Sequence, residues 1–194
     1  MRKLLGLFLM LVIVFSSCEG RKTTHHALSE SIEAFKEKVS LEVDVFEPET
    51  YVEHQVDTLM SNGYRVKIKT YSDMDSSVLY TKIKDTINYQ THYRNYKFSI
   101  LVEKEGKQVF NKQFNKGLVN EILSYNANST NGSALYNFDK LAVLKSIEVT
   151  DNTALTNVVS IDILYAIPES NRYAIHRLYI DENGKFNVKK VEVN

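Results

Sequence analysis

Residues 51–71 read YVEHQVDTLMSNGYRVKIKTY, two strand-like runs separated by Ser61-Asn62-Gly63. An Asn-Gly pair between such runs is the strongest short hairpin signal, because the tight turn needs positive φ where Asn and Gly tolerate it. Tyr64, Val66 and Ile68 fall on one side of the second run and Arg65, Lys67 and Lys69 on the other. A period of two with one apolar side marks a half-buried strand. The stretch therefore predicts an antiparallel hairpin, with arms Tyr51–Met60 and Tyr64–Tyr71.

The same grammar extends in both directions. Upstream, Leu41, Val43 and Val45 alternate with Glu42 and Asp44 until Pro48 stops the run. Before it, Leu28, Ile32, Phe35 and Val39 recur at the spacing of one helical face, predicting a helix over Ala27–Val39. Downstream, the polar stretch Ser72–Ser77 reads as a loop, with short strands at Val78–Ile83 and Thr86–Tyr89. Tyr96–Glu103 is a clear strand that turns through Glu105-Gly106-Lys107 into Gln108–Phe114. Lys116–Tyr125 reads as a second helix, and Asn126–Ser133 as a polar loop. Leu141–Val149 and Val158–Ile167 are strands, the second apolar enough to be central. Tyr173–Ile180 and Lys185–Val193 close the chain as a hairpin across Asp181-Glu182-Asn183-Gly184. Strands joined by tight turns, with two helices and no βαβ alternation, predict an α+β fold. Its dominant antiparallel sheet is expected to be curled or barrel-like.

The first residues stand outside that fold. Arg2 and Lys3 precede an apolar run, Leu4–Phe15. The run is too short for a membrane-spanning helix, which needs about 20 apolar residues. It fits the core of a secretory signal, roughly 7–15 residues behind a basic start. Phe15-Ser16-Ser17-Cys18 then looks like a bacterial lipobox, although Phe15 stands where Leu is usual. That resemblance implies cleavage before Cys18, a diacylglycerol on its thiol, and acylation such as palmitate on its new amino group. Two or more acyl chains hold a protein stably on a bilayer, at about 0.8 kcal/mol per buried CH₂. The organisation expected is a leader over 1–17, a lipidated Cys18 and tether over 18–26, and a single β-rich domain over 27–194.

Composition bounds the rest. The chain carries 24 Lys and Arg against 24 Asp and Glu, and losing Arg2 and Lys3 with the leader tips it slightly towards acid. Nucleic acid as a partner is not expected, since binding it needs a basic footprint. Cys18 is the only cysteine, so disulfides and thiolate metal sites are excluded from the domain. No cofactor and no metal are expected. His25 and His26 adjoin in a tether, and His54, His92 and His176 lack metal-ligand spacing. No Gly-x-Ser-x-Gly elbow or Gly-rich phosphate loop occurs. The chain is accordingly expected not to be an enzyme. The most suggestive patch is Tyr89, His92, Tyr93 and Tyr96, amphipathic side chains suited to contact a peptide or a glycan. Tyrosine is also a favoured sheet residue, which accounts for the same cluster without any ligand.

The plan resembles an uncharacterised family of Bacteroidetes lipoproteins that carry a domain of unknown function. The resemblance lies in the lipobox at Cys18 and in Asp57-Thr58-Leu59 running into Ser61-Asn62-Gly63-Tyr64. It continues in Tyr93-Arg94-Asn95-Tyr96-Lys97 and in Ile167-Pro168-Glu169 with the Asp181-Glu182-Asn183-Gly184-Lys185 turn. It implies no activity and no site residues. It does imply a Gram-negative envelope, with anchorage expected in the outer membrane through acylated Cys18. Asp57-Thr58 and Asp85-Thr86 also resemble the Asp-Thr pattern that glycosyltransferases of those bacteria modify. The reading favoured is a non-catalytic binding module for an envelope protein, a peptide or a glycan. A lipocalin-like carrier and a hydrolase built from scattered carboxylates are the alternatives. A solid core with an exposed aromatic patch favours the first. A roomy apolar cavity favours the carrier. Two facing carboxylates in a cleft, or one beside His92 or His176, favour the hydrolase.

Overall fold

The computed structural model describes residues 24–38, 41–84, 87–125 and 133–194. The chain falls into two compact units, Met1–Glu42 with Ile83–Asn88, and Val43–Lys82 with Tyr89–Asn194. Cys18, the leader and Asp85-Thr86 lie outside the described residues, as does most of the 126–133 loop.

The first unit holds helix α1, Thr24–Lys38. It begins three residues before the expected Ala27 and takes in His25 and His26, residues of the expected tether. Leu28, Ile32 and Phe35 share a face, as their spacing requires, yet they are 58%, 46% and 62% exposed.

The second unit is built on antiparallel sheets that do not close, which corrects the barrel-like expectation. The first sheet runs β1 (Leu41–Glu47), β4 (Ile87–Lys104), β3 (Tyr64–Lys84), β2 (Glu53–Leu59), and β5 (Lys107–Phe114) pairs with β4. The second is a meander of β6 (Val143–Thr150), β7 (Val158–Ala166), β8 (Tyr173–Asp181) and β9 (Phe186–Val193). β7 is interior, as its apolar sequence predicted. Two short helices complete the unit, α2 (Lys116–Ile122) and α3 (Phe138–Leu141).

The predicted hairpin is present, with Thr58 opposite Val66 and Val56 opposite Ile68. Gly63 supplies the positive φ, +84°. Tyr64, Val66 and Ile68 are buried, while Arg65, Lys67 and Lys69 pair with Asp57, Glu103 and Glu53 on the other face.

The expected loop at Ser72–Ser77 is a correction: it is strand, and β3 runs unbroken from Tyr64 to Lys84. Its polar side chains find cross-strand partners. Lys97 pairs with Asp73 at 3.0 Å, and Asn95 Nδ2 donates to Ser76 Oγ at 2.6 Å. Ser72 is buried, and its hydroxyl accepts from the Val52 N–H at 2.9 Å. Polar residues with their hydrogen bonds met do not break a sheet. β6 starts at Val143 rather than Leu141, and the helix expected over Lys116–Tyr125 ends at Ile122. Leu141 instead ends α3, whose final turn is held by Lys116 Nζ donating to the carbonyls of Lys140 and Ala142, both at 2.9 Å. Burial there brings the Lys116 pKa down to about 8.

The two sheets share one core. Val66, Phe98, Ile100 and Phe114 from the first meet Ile161, Ile163, Leu178 and Ile180 from the second, with Val119 and Phe138 of the short helices. Their tips are bolted by polar bonds. Asp151 accepts from Ser61 N–H and Oγ at 3.0 and 2.7 Å, and Asn62 Nδ2 donates to the carbonyls of Leu155 and Val158 at 2.9 and 3.1 Å. Asn62→Ala removes two of these bonds. It is expected to cost about 2 kcal/mol in urea unfolding at an unchanged slope, since each typical bond contributes about 1 kcal/mol.

Candidate functional site

Core and sheet do not end at the same strand. Val56 of β2 stands opposite buried Ile68 and shares its face, yet it is 43% exposed. The first sheet thus extends one strand further than its cover, leaving a ledge. β6 is one of the two edge strands of the second sheet, and it faces that ledge across a shared space. Between them lies a cleft of about 540 Å³, within the 300–1,000 Å³ usual for ligand sites. His54, Val56, Ile68 and Thr70 line it from β2 and β3. Tyr93, Arg94 and Tyr96 line it from β4, Glu47 and cis-bonded Pro48 from the end of β1, and Val143–Glu148 from β6.

β4 brings its tyrosines there through a change of burial parity. Tyr93 and Asn95 are buried in one half, Phe98, Ile100 and Val102 in the other. Strict alternation would place Tyr93 and Tyr96 on opposite faces; both line the cleft. Burial, the 2.8 Å hydrogen bond that the Tyr93 hydroxyl donates to Glu169, and the charges of Glu169 and Glu47 push that hydroxyl up to about 12. Tyr96 is raised by burial and by Glu47. Both phenols are neutral donors at neutral pH.

The other two residues of the predicted patch lie outside the lining. Tyr89 is half-buried on β4. His92 stacks on Phe46, ring centroids 4.6 Å apart, and its Nε2 is 3.1 Å from Asp44 Oδ1. Arg94 covers the same Phe46 ring at 4.6 Å and donates to the carbonyls of Pro48 and Met74. Of the sequence patch, Tyr93 and Tyr96 thus line the cleft, His92 joins a half-buried stack, and Tyr89 belongs to neither.

A second polar group is buried away from the cleft. His176 occupies an inward position of β8, and Tyr125 Oη lies 3.2 Å from its Nδ1. Burial and nearby Lys190 lower the His176 pKa to about 4. Burial raises the Tyr125 and Tyr165 hydroxyls well above their usual range.

Among the described residues, no group of three or more His, Cys, Asp or Glu stands ready to hold a metal. No helix among them is long and apolar enough to cross a membrane. The space among Phe98, Phe114, Ile163 and Leu178 is about 10 Å³, room for at most one water. Asp57 of the Asp57-Thr58 pair is held by both Arg65 donors at 2.8 Å on exposed β2.

His54, Val56 and the rim of β6 were not singled out from sequence. His54 reads there as an ordinary strand histidine, and strand order decides the rest. No family model matches the chain, and no curated protein matches it.

Proposed function

We propose that this chain is a lipid-anchored, non-catalytic binding module of the bacterial envelope, taking its ligand in the cleft between β2 and β6. One observation carries the reading: the uncovered ledge at Val56, apolar and walled, beside a sheet interface whose space among Phe98, Phe114, Ile163 and Leu178 is only about 10 Å³. The leader and Cys18 support the address, outer-membrane anchorage through acylated Cys18. The Phe46–His92–Arg94 stack, with Phe46 exposed and His92 and Arg94 half-buried, supports an interaction surface. Ligands of this reading are envelope proteins, peptides or glycans.

A hydrolase has two observations in its favour: Glu47 and Glu148 both line the cleft, and the carboxylate of Asp44 stands beside His92. Such a pair orients a general base when a nucleophile stands at the other ring nitrogen. Among the described residues no hydroxyl or thiol hydrogen-bonds His92 Nδ1, and the binding reading is preferred.

The test places a photo-crosslinking side chain at Val56 in cells, with Val191, exposed on β9, as the control position. Crosslinks specific to position 56, lost when Tyr96→Ala is added, are expected. Equal labelling from both positions contradicts the site. Intact mass of the native protein is expected to show cleavage before Cys18 and fatty acyl chains on it. An unmodified thiol contradicts the anchor.

A further inference from the structure

Six consecutive residues of β6, Val143–Glu148, line the cleft. A strand that presents a face contributes every second residue, because successive side chains alternate. Consecutive lining residues mean that the strand is seen edge-on, with its backbone rim towards the space. The opposite rim is taken by β7, in a register from Val143 opposite Ala166 to Thr150 opposite Ser160. β6 ends its sheet, so among the described residues its cleft-side N–H and C=O groups have no strand partner. An unpaired rim is a template for another extended chain.

We propose that the cleft takes an extended polypeptide segment, which pairs with β6 as a fifth strand of the second sheet. This rests on the cleft being the ligand site and names its ligand. A strand in that place lies over the ledge, and its alternate side chains cover His54 and Val56, the part of the first sheet that lacks a lid. The register shift between Leu144 and Ser146 interrupts the ladder, so continuous pairing starts at Ser146. About five residues at 3.3 Å each, roughly 17 Å, then pair as far as Thr150, the end of β6, the first three of them along the cleft lining and the last two beyond it. Arg94 and Lys145 balance Glu47 and Glu148 in the lining, so the complementary segment is uncharged and its binding depends weakly on salt. A sugar fits less well, because the Tyr93 hydroxyl is already spent on Glu169.

The test pans phage-displayed random octapeptides on the folded full chain and synthesises the tightest binder with both ends capped. Affinity is measured at 50 and 300 mM salt, and amide hydrogen exchange is followed with and without peptide. The expected result is an uncharged, alternating apolar sequence whose affinity changes less than threefold with salt. It slows exchange at least tenfold at alternate amides of Ser146–Thr150 and leaves the other edge strand, β9, unchanged. Val56→Lys, at an exposed position, weakens it at least tenfold without moving the thermal midpoint. Absence of any binder, or a binder that leaves β6 exchange unchanged, overturns the proposal. Self-association that protects β6 as concentration rises overturns it too, assigning the rim to a second copy. A glycan that binds and is lost with Val56→Lys sinks the peptide while keeping the cleft. If Val56→Lys affects no ligand, the cleft falls as well.

Discussion

Phe98→Ala is expected to destabilise the protein by about 3–5 kcal/mol, the usual cost of emptying a buried Phe site. Phe98 is fully buried near the middle of the shared core and stacks on Phe114, centroids 4.8 Å apart at 14°. The loss combines transfer of the ring to water, the void left behind, and a stacked pair that itself contributes about 0.5–1.5 kcal/mol. β4 is paired on both sides and cannot collapse into the hole. Domains of this size hold about 5–15 kcal/mol in total, so the variant forfeits a large share. Urea unfolding gives the free energy directly, and the thermal midpoint is expected about 10 °C lower. A cost under about 1 kcal/mol would mean that the sheets do not pack face to face at this residue.

Acid is expected to remove about 3 kcal/mol through His176 alone. Its pKa is about 4 in the fold against an ordinary 6.5. Above 6.5 the ring is neutral whether the chain is folded or not, and stability is complete. Between 6.5 and 4 the unfolded chain takes up a proton that the buried ring refuses, and each unit costs about 1.4 kcal/mol. Below 4 both states are charged and this loss stops growing. Urea midpoints at pH 7.5 and 4.5 measure it. His176→Gln, less stable at pH 7.5 because Tyr125 loses its partner, is expected to show a shallower fall across that window. An unaltered fall in the variant assigns the acid sensitivity to carboxylates instead.

Turns were the most legible part of the sequence. Ser61-Asn62-Gly63, Glu105-Gly106 and Asn183-Gly184 each mark a reversal where the structure has a glycine with positive φ. The burial side of Tyr64, Val66 and Ile68 was legible too, because alternation is local. What failed was local polarity used as a stop signal. Ser72–Ser77 reads as a loop only while Lys97 and Asn95, its partners some twenty residues on, are out of view. The site was legible by half. Tyr93 and Tyr96 do line the cleft, since tyrosine on a strand is rarely far from a surface. Tyr96 joins Tyr93 there because the burial parity of β4 changes between Asn95 and Phe98, and nothing in those residues announces the shift. His92, the neighbour of Tyr93, turns instead to Phe46 and Asp44, and Tyr89 stands four residues before Tyr93, outside the lining. The rim of β6 was out of reach altogether. Val143–Glu148 is an ordinary strand sequence, and only the order of strands makes it an edge.

Amide hydrogen exchange on the ligand-free protein tests that edge most directly. If β6 borders an open cleft, every second amide over Ser146–Thr150 exchanges quickly, while Val158–Ala166 of β7, paired on both sides, stays protected throughout. Uniform protection along Ser146–Thr150 would show that another segment already covers the rim, and the site described here would not exist.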